Sequence, residues 1–257
     1  MSLLPALPEG LTWLMLALAA GAFALGGLVK GLAGFGLPLI VISINSAFMP
    51  IELALGLNVI PPFILNLWQS GGRRGVAETW RGYAPVLLAL PLGIGVGAAF
   101  AATLDPRWLI GAVGAVTLAF CITQLAGWRL HLAPAHIRPA GAGVGLAAGF
   151  LGSLTTVTGP PLVMYLLAAK AEPEAFKAAL GLFFFVVGVM LTIAFLSIGF
   201  LTPTLALLGA LMTLPAAAGM GLGGRLSRRI DPAAFRLGVL ILLTVLGVNL
   251  LRRAVMG

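Results

Sequence analysis

Long runs of apolar residues, separated by short clusters of charged residues, are the feature that most limits how this chain can fold. A helix needs about 20 apolar residues to cross a bilayer, and most of the runs reach that length. Charged residues make up only 9% of the chain, against about 25% in soluble domains. They are too few to cover a water-facing surface, which excludes a soluble enzyme, a disordered chain and a nucleic-acid-binding module. The sequence predicts an all-α, polytopic membrane protein with apolar runs near residues 11–48, 50–69, 82–103, 107–127, 140–170, 175–200, 204–224 and 233–251.

The net charge of +8 does not indicate a nucleic-acid partner, because the Lys and Arg residues lie between the apolar runs, where membrane topology places them. The first ten residues lack the basic start of a signal peptide, so we expect the first run to be retained. Cys121 is the single cysteine, which leaves no disulfide framework and no metal–thiolate site. We predict no cofactor and no bound metal.

Two of the runs, 11–48 and 140–170, are too long for one crossing, and each is interrupted by residues rich in glycine or threonine. We interpret each run as a pair of shorter segments joined at the interruption, forming either two crossings or a re-entrant hairpin. Residues 140–153 are too few to span a bilayer. This segment is therefore expected to dip into the membrane and turn back near Ser153–Gly159, giving eight to ten membrane segments in all.

The chain repeats itself at an offset of about 122–126 residues. A single shared glycine or leucine means little in this composition, but a collinear series that includes Asp-Pro twice indicates an internal duplication. We divide the chain into a first transmembrane repeat (1–128), an inter-repeat loop (129–139) and a second transmembrane repeat (140–257). The matching positions are Gly27 with Gly149; Gly36, Pro38 and Leu39 with Gly159, Pro161 and Leu162; Ala54–Leu57 with Ala179–Leu182; Pro91, Gly95 and Gly97 with Pro215, Gly219 and Gly221; and Asp105-Pro106 with Asp231-Pro232.

The distribution of positive charge favours inverted repeats. If each long run crosses once, the halves are parallel and Lys and Arg divide about evenly between the two faces. If each long run enters and returns, each half has about five segments, the halves are inverted, and eleven positive charges lie on one face against three on the other. Such a bias is the normal positive-inside pattern. The eleven are Arg73, Arg74, Arg81, Arg129, Arg138, Lys170, Lys177, Arg225, Arg228, Arg229 and Arg236, and the three are Arg107, Arg252 and Arg253.

Each repeat opens with a stretch in which a glycine-rich or threonine-rich segment runs into proline, at 27–39 and at 149–162. Glycine permits an unwound backbone, and proline suits the first turn of the helix that follows. A helix start presents unpaired N–H groups and the positive end of the dipole, which favour an anion. Two such starts facing each other at the bilayer midplane are typical of secondary transporters built from inverted repeats. The alternative is that these glycines only allow close helix packing.

The two breaks, together with the later segment 221–232, resemble the sulfite exporter TauE/SafE family of membrane transporters over essentially the whole chain. The resemblance implies a multi-pass protein of the bacterial inner membrane that exports or takes up small sulfur-containing anions, such as sulfite and organosulfonates. This chain departs from the family's pattern where Phe35 and Leu37 interrupt the first glycine run. It also carries Ser153, Thr155 and neighbouring hydroxyl residues where the second run is usually richer in glycine.

The polar residues of these segments have two possible roles each. Lys30 is a functional candidate because it lies in an apolar stretch, or else it marks the end of a crossing, where its side chain snorkels. The threonine hydroxyls donate to an oxyanion or to the carbonyls of the preceding turn. Asn58 contacts substrate or a neighbouring helix, and Asn45, Asn66 and Gln69 are predicted to be interfacial. The predicted substrate-binding residues are Lys30, Gly31, Gly34, Gly36, Pro38, Asn58, Gly152, Thr155, Thr156, Thr158, Gly159 and Pro161.

These observations predict a secondary transporter rather than an enzyme, with one repeat rocking against the other around a central site. No carboxylate lies deep in a predicted span, so no proton relay is visible, and Glu52 is the best remaining candidate for one. An anion channel built on the same breaks stays open, as do a membrane enzyme and a scaffold, although the nucleophile, metal cluster or buried acids of an enzyme are missing at depth. A homo-oligomer also stays open.

Overall fold

The chain folds into a bundle of helices. The computed structural model describes residues 7–66, 72–127, 132–226 and 232–256, and within these ranges it contains helices and short connections but no strand. The helices are α1 (Trp13–Ala33), α2 (Leu37–Asn45), α3 (Ile51–Leu57), α4 (Ile60–Asn66), α5 (Gly72–Ala101), α6 (Pro106–Leu125), α7 (Pro134–Thr155), α8 (Gly159–Ala168), α9 (Pro173–Ser197), α10 (Pro203–Leu226) and α11 (Pro232–Met256).

Six of the described helices are long and apolar enough to cross a membrane, which makes this a multi-pass membrane protein. They lie within α1, α5, α6, α9, α10 and α11. Large apolar side chains are exposed along their outer faces: Leu92 and Val96 of α5 are each 65% exposed, and Leu214 of α10 is 69% exposed. Apolar surface of this extent is stable against lipid but not against water. The prediction of an all-α membrane protein is confirmed.

Both long apolar runs form hairpins whose two ends lie close together. In the first, α1 leads away from Gly10 and α2 returns, so that a Cβ built on Gly10 would lie 3.3 Å from the Pro50 side chain. In the second, α7 leads away from Leu132 and α8 returns, and the Leu132 N–H donates to the Ala168 carbonyl at 3.0 Å. Each run is therefore a pair of helices joined at its interruption, as predicted.

The length of α7 corrects one prediction. Residues 140–153 were expected to form a segment too short to span, after a loop at 129–139. Instead α7 runs for 22 residues from Pro134, with Pro139 inside it. Pro134 occupies the first helical turn, where its missing N–H costs nothing. The polar residues before position 140 form the first turns of this helix, and His136 and Arg138 are exposed there.

Glycines join α1 to α10 and α5 to α7 at backbone-to-backbone distance. A Cβ on Gly27 would lie 2.0 Å from the Ala216 carbonyl oxygen, and one on Gly219 would lie 2.0 Å from that of Ala24. At the other interface the corresponding separations are 2.4 Å for Gly149 against Leu90 and 2.3 Å for Gly93 against Leu146. No side chain fits at these points, because real Cβ contacts are never this short. Small residues of this kind let membrane helices approach closely enough for van der Waals packing to hold them.

The contacts also fix the relative direction of these helices. Along α1·α10 and along α5·α7, residue numbers rise together, so the partners in each pair run in the same direction. Helices α6 and α11 run in opposite directions, because Gly111 faces Ala254 while Gly114 faces Gly247 and Leu251.

Candidate functional site

Glycine and threonine interrupt the two hairpins in similar ways. Helix α1 ends at Gly34 (φ 83°) and α2 begins after Gly36 (φ 100°), both in the left-handed region that favours glycine. Helix α7 ends at Thr156 (φ 58°), and α8 begins after Thr158. Proline then lies in the first turn of each new helix, at Pro38 in α2 and at 160–161 in α8. The backbone therefore unwinds for only three residues in each half.

The two unwound segments border one cavity inside the bundle. Its volume is about 40 Å³, and one water-sized group needs about 10–15 Å³ on the same measure. The space suits an anion of a few heavy atoms. Its lining consists of Lys30, residues 35–39 of the first break, Asn58 and Val59 between α3 and α4, Pro62, Phe63 and Asn66 of α4, Phe120 of α6, residues 156–160 of the second break, and Phe184, Val187, Gly188 and Leu191 of α9.

Two helix starts therefore face the same space. The first-turn N–H groups of a helix have no partner inside that helix. In the first turn of α2, Pro38 has no N–H group, so the N–H groups of Leu37 and Leu39 are the ones that remain at the cavity. In α8, Pro160 and Pro161 have none, which leaves that of Gly159. These few donors and the positive dipole ends of the two helices favour negative charge in the cavity.

Asn58 ties the two breaks together. It is 1% exposed, and its Nδ2 donates to the Pro38 carbonyl at 2.9 Å and to Thr156 Oγ1 at 2.7 Å. Because a carbonyl can only accept, the atom facing Pro38 must be the amide nitrogen. The amide oxygen, Oδ1, is also buried, and no group in the described part of the chain donates to it. An unpartnered acceptor of this kind costs about 1–3 kcal/mol.

Lys30 is the charged residue of the cavity lining. It lies in the last turn of α1 and is 3% exposed, and its Nζ donates to Asn66 Oδ1 at 2.5 Å. Among the described residues that line the cavity, none is a carboxylate. The ammonium group of Lys30 therefore places positive charge at the cavity, which favours an anion there.

Thr156 adopts a conformation that is unusual for a β-branched residue. A positive φ of this kind costs about 1–3 kcal/mol. Two hydrogen bonds of its hydroxyl offset that cost: Oγ1 accepts from Asn58 and donates to the Thr155 carbonyl at 2.6 Å. In this conformation the Thr156 side chain reaches Asn58 and forms part of the cavity wall.

Most of the predicted site residues lie at the cavity, and five do not. Gly31 packs on the Met220 carbonyl of α10, Gly34 is exposed at the end of α1, and Gly152 packs under the Thr158 side chain. Thr155 Oγ1 donates to the Leu151 carbonyl at 2.7 Å, which is the local alternative. Pro161 lies beside the cavity without lining it. Those that line it are Lys30, Gly36, Pro38, Asn58, Thr156, Thr158 and Gly159.

Two of the three amides predicted to be interfacial are buried instead. Asn66 is 3% exposed and binds Lys30, and Asn45 is fully buried at the end of α2. Their positions near segment ends were misleading, because α4 and α2 are short and end inside the bundle. Gln69 lies outside the described residues.

The apolar part of the lining was not predicted. Phe63, Phe184 and Gly188 border the cavity where α4 meets α9. A Cβ on Gly188 would lie 2.7 Å from Phe63 Cβ, so this glycine makes room for the ring. In a chain this rich in phenylalanine and glycine, nothing in the sequence distinguishes these residues from others that face lipid.

Helical interruptions that meet at a cavity lined by a lysine are the arrangement expected of a polytopic membrane transporter. A model of the family described as sulfite exporter TauE/SafE matches residues 18–250. The chain belongs to this family, whose members are membrane transporters and not enzymes. Searches of curated proteins and of solved structures gave no match.

Proposed function

We propose that this protein is a secondary transporter that moves a small sulfur-containing anion, sulfite or an organosulfonate, out of the cytoplasm across the bacterial inner membrane. The observation that carries the proposal is the meeting of two helix starts and Lys30 at one cavity of a few heavy atoms' size. Export does not need to be coupled to protons, because an anion that leaves the negative interior gains about 2.3 kcal/mol per charge per 100 mV.

Purified protein in liposomes tests the function. We expect saturable uptake of labelled sulfite that is stimulated by sulfite or sulfonates on the opposite side, and weaker stimulation by sulfate and carboxylates. A carrier gives such counterflow because its binding site crosses back with an unlabelled anion bound and is then free to take up a labelled one. Flux that rises without saturation and carries ohmic current would instead indicate a channel, and no flux with any of these anions would overturn the proposal.

We also propose that the two halves are inverted repeats. Support comes from α6 and α11, which hold the same place in the two repeats and run in opposite directions. Further support comes from three alternate glycines in α5 and three in α10. In α5, Gly93 and Gly97 pack against α7, and in α10, Gly219 and Gly223 pack against α1. The middle glycine of each set, Gly95 or Gly221, has no neighbour within 4 Å of an added Cβ. The packing makes Gly93 correspond to Gly219. The sequence match of Pro91 with Pro215 instead makes Gly95 correspond to Gly219, so the two alignments of α5 with α10 differ by two residues.

Single-cysteine labelling tests the inversion. In a Cys121→Ser background, Ala47→Cys precedes α3 and Ala171→Cys precedes α9, at equivalent points of the two repeats. Inverted repeats place these positions on opposite membrane faces. We expect a membrane-impermeant thiol reagent to label one from outside and the other only in inverted vesicles; labelling of both from the same face contradicts the inversion.

The glycine contacts argue against the predicted motion, in which one sequence repeat rocks against the other. If one sequence repeat rocked against the other, both backbone-to-backbone interfaces would have to slide, because each joins a helix of one repeat to a helix of the other. We propose instead a first unit of α1–α4 with α10, and a second unit of α5 with α7–α9. Helix α10 also packs on α3 and α4, and α5 also packs on α9, which keeps each unit together.

The cavity lies at the seam between these units. Asn58 of the first unit meets Thr156 of the second, and the rings of Phe63 of α4 and Phe185 of α9 lie tilted against each other with their centroids 5.5 Å apart. Hydrogen bonds and ring contacts can be remade after a rotation, whereas backbone packing through glycine cannot. Rotation along this seam would open the cavity to one face and then to the other.

Reversible cross-links distinguish the two modes of motion. In the Cys121→Ser background, Phe63→Cys with Gly188→Cys spans the seam, and Ile60→Cys with Gly209→Cys joins α4 to α10 within the first unit, where a Cβ on Gly209 would lie 3.5 Å from the Ile60 Cβ. We expect oxidation to stop transport in the first pair and to leave it unchanged in the second, with reduction restoring the first. Loss of transport on oxidation of the second pair would favour rocking of the sequence repeats. Each reduced variant serves as its own control.

A further inference from the structure

A second pocket, open to the surroundings, lies at the end of the bundle where α2 ends and α6 begins. We call it the end pocket; its lining consists of residues 47–52 between and within α2 and α3, Pro106 and Ile110 of α6, and Arg253 in the last turn of α11. The cavity between the two breaks is bordered by the same two helices further along, at Leu39 of α2 and Phe120 of α6. Helices α2 and α6 therefore both extend from the cavity to the end pocket.

A pair of hydroxyl groups joins α2 to α6 between these two spaces. Ser43 Oγ and Thr117 Oγ1 lie 3.0 Å apart, and both residues are fully buried. On α2, Ser43 comes four residues after Leu39, which borders the cavity. On α6, Thr117 lies three residues from Phe120 at the cavity and seven from Ile110 at the end pocket. Residues at such spacings share one face of a helix, so the face that borders the cavity leads to the end pocket.

The hydroxyl pair has a defined direction of hydrogen bonding. Thr117 Oγ1 donates to the Val113 carbonyl at 2.7 Å, so Ser43 is the donor between the two hydroxyls. A hydroxyl group can exchange one hydrogen-bond partner for another without leaving a charge behind. If α2 and α6 separated, both hydroxyls would be able to donate to an anion that passed between them.

Glycine packing does not hold α2 to α6. Helix α2 contains no glycine, and both glycines of α6, Gly111 and Gly114, pack on α11. Backbone packing therefore joins α6 to α11, and this pair can move away from α2 as one piece. At the end pocket, the Arg253 side chain of α11 donates to the Ser46 carbonyl at the end of α2. This hydrogen bond links the pair to α2 at the edge of the bundle.

The positive-inside rule assigns the end pocket to the outer face of the membrane. Helices α5 and α7 run side by side in the same direction, and Arg81 and Arg138 lie exposed in their first turns. Helix α5 crosses the membrane, and α6 begins just after it ends, so Pro106 lies on the opposite face from these arginines. The face that carries more Lys and Arg is the cytoplasmic one.

We propose that the anion leaves the cavity for the outer face between α2 and α6, and that the hydroxyl pair of Ser43 and Thr117 closes this exit path in the present structure. Arg253 holds its outer end closed through the Ser46 carbonyl. This inference rests on the proposed function and adds a route to it. Helices α6 and α11 belong to neither of the two units that meet at the cavity, so rotation of the first unit would carry α2 away from them and open the path.

Cysteine accessibility tests the exit path. In the Cys121→Ser background, Thr117→Cys on α6 and Ser43→Cys on α2 each place one thiol at the hydroxyl pair. Right-side-out and inverted membrane vesicles are treated with a membrane-impermeant maleimide, washed, and assayed for labelled protein and for sulfite counterflow. We expect both variants to be labelled, and to lose counterflow, only when the reagent reaches the outer face. The attached group would then occupy the path.

Thr244→Cys is the matched control in the same background. Thr244 of α11 donates to the carbonyl four residues before it at 2.7 Å, as Thr117 does, but it lines neither the cavity nor the end pocket. We expect no labelling of this variant from either face. Labelling there as fast as at Thr117→Cys would mean that reagent reaches the α6·α11 pair generally, and would overturn the path.

A second substitution tests the role of Arg253. Arg253→Gln, added to Thr117→Cys, shortens the side chain that donates to the Ser46 carbonyl. We expect labelling from the outer face to become faster, because the outer end of the path is no longer held closed. An unchanged rate of labelling overturns this role of Arg253.

The remaining outcomes separate the exit path from the proposed function. Counterflow that persists while both thiols stay unlabelled from either face, or are labelled only from the inner face, overturns the path and leaves the transport function standing. A hydroxyl pair that only holds α2 to α6 would give the first of these results. Labelling that leaves counterflow unchanged also overturns the path. Absence of counterflow in untreated wild-type protein with every anion overturns the proposed function itself.

Discussion

Replacing Gly27 with alanine should destabilise the protein by about 3 kcal/mol or more, because the added Cβ would lie 2.0 Å from the Ala216 carbonyl oxygen of α10. Neither backbone can yield without moving a whole helix. Gly149→Ala should behave in the same way, since its Cβ would lie 2.4 Å from the Leu90 carbonyl oxygen at the α5·α7 interface. The free energy of unfolding, measured in detergent by denaturant titration, gives both values.

Two glycines on the same helices serve as controls for this prediction. Gly21 of α1 and Gly221 of α10 have no atom within 4 Å of an added Cβ. Alanine there should be neutral or stabilising by up to about 1 kcal/mol, because alanine favours the helix. Equal losses at Gly27 and Gly21 would mean that the close packing of α1 on α10 is absent.

Replacing Lys30 with methionine should lower transport by at least about 100-fold in kcat/KM, with the protein still folded. Methionine keeps the apolar stem but removes the charge that balances the anion, and breaking a buried charge pair costs about 3–5 kcal/mol. Sulfite counterflow in liposomes measures the loss, and a thermal unfolding curve confirms that the variant is intact.

Two variants control the Lys30 result. Lys177→Met removes an exposed charge at the start of α9 and should leave transport unchanged. Lys30→Arg keeps the charge in a larger group and should retain more activity than Lys30→Met. Wild-type kcat/KM in Lys30→Met would show that Lys30 has only a structural role, in which its hydrogen bond to Asn66 joins the end of α1 to α4.

The sequence predicted the features that depend only on neighbouring residues, namely the positions of the two breaks and of the membrane helices. Glycine at 34 and 36 followed by Pro38, and threonine followed by Pro160, locate the two breaks because these residues fix the backbone where they occur. The sequence placed Lys30 near the first break but left open whether it is buried or snorkels at the end of a crossing, and the structure buries it. The apolar runs likewise located the membrane helices, since length and hydropathy alone decide whether a helix can cross.

The sequence did not predict features that depend on distant partners. That Gly31 packs on α10, while Gly36 borders the cavity, depends on which way each faces in the assembled bundle. The burial of Asn66 depends on α4 ending inside the protein. The pairing of α1 with α10 joins a helix from the first half of the chain to a helix from the second half, and a match between the two halves of the sequence carries no information about that pairing.

Anomalous diffraction from crystals grown with selenite tests the central claim most directly, because selenite resembles sulfite and selenium can be located unambiguously. We expect one strong peak between the start of α2 (36–39) and the start of α8 (158–160), within hydrogen-bonding distance of first-turn N–H groups from both helices. A peak bound elsewhere with the cavity empty, such as beside Arg253 at the end of the bundle, would contradict the account.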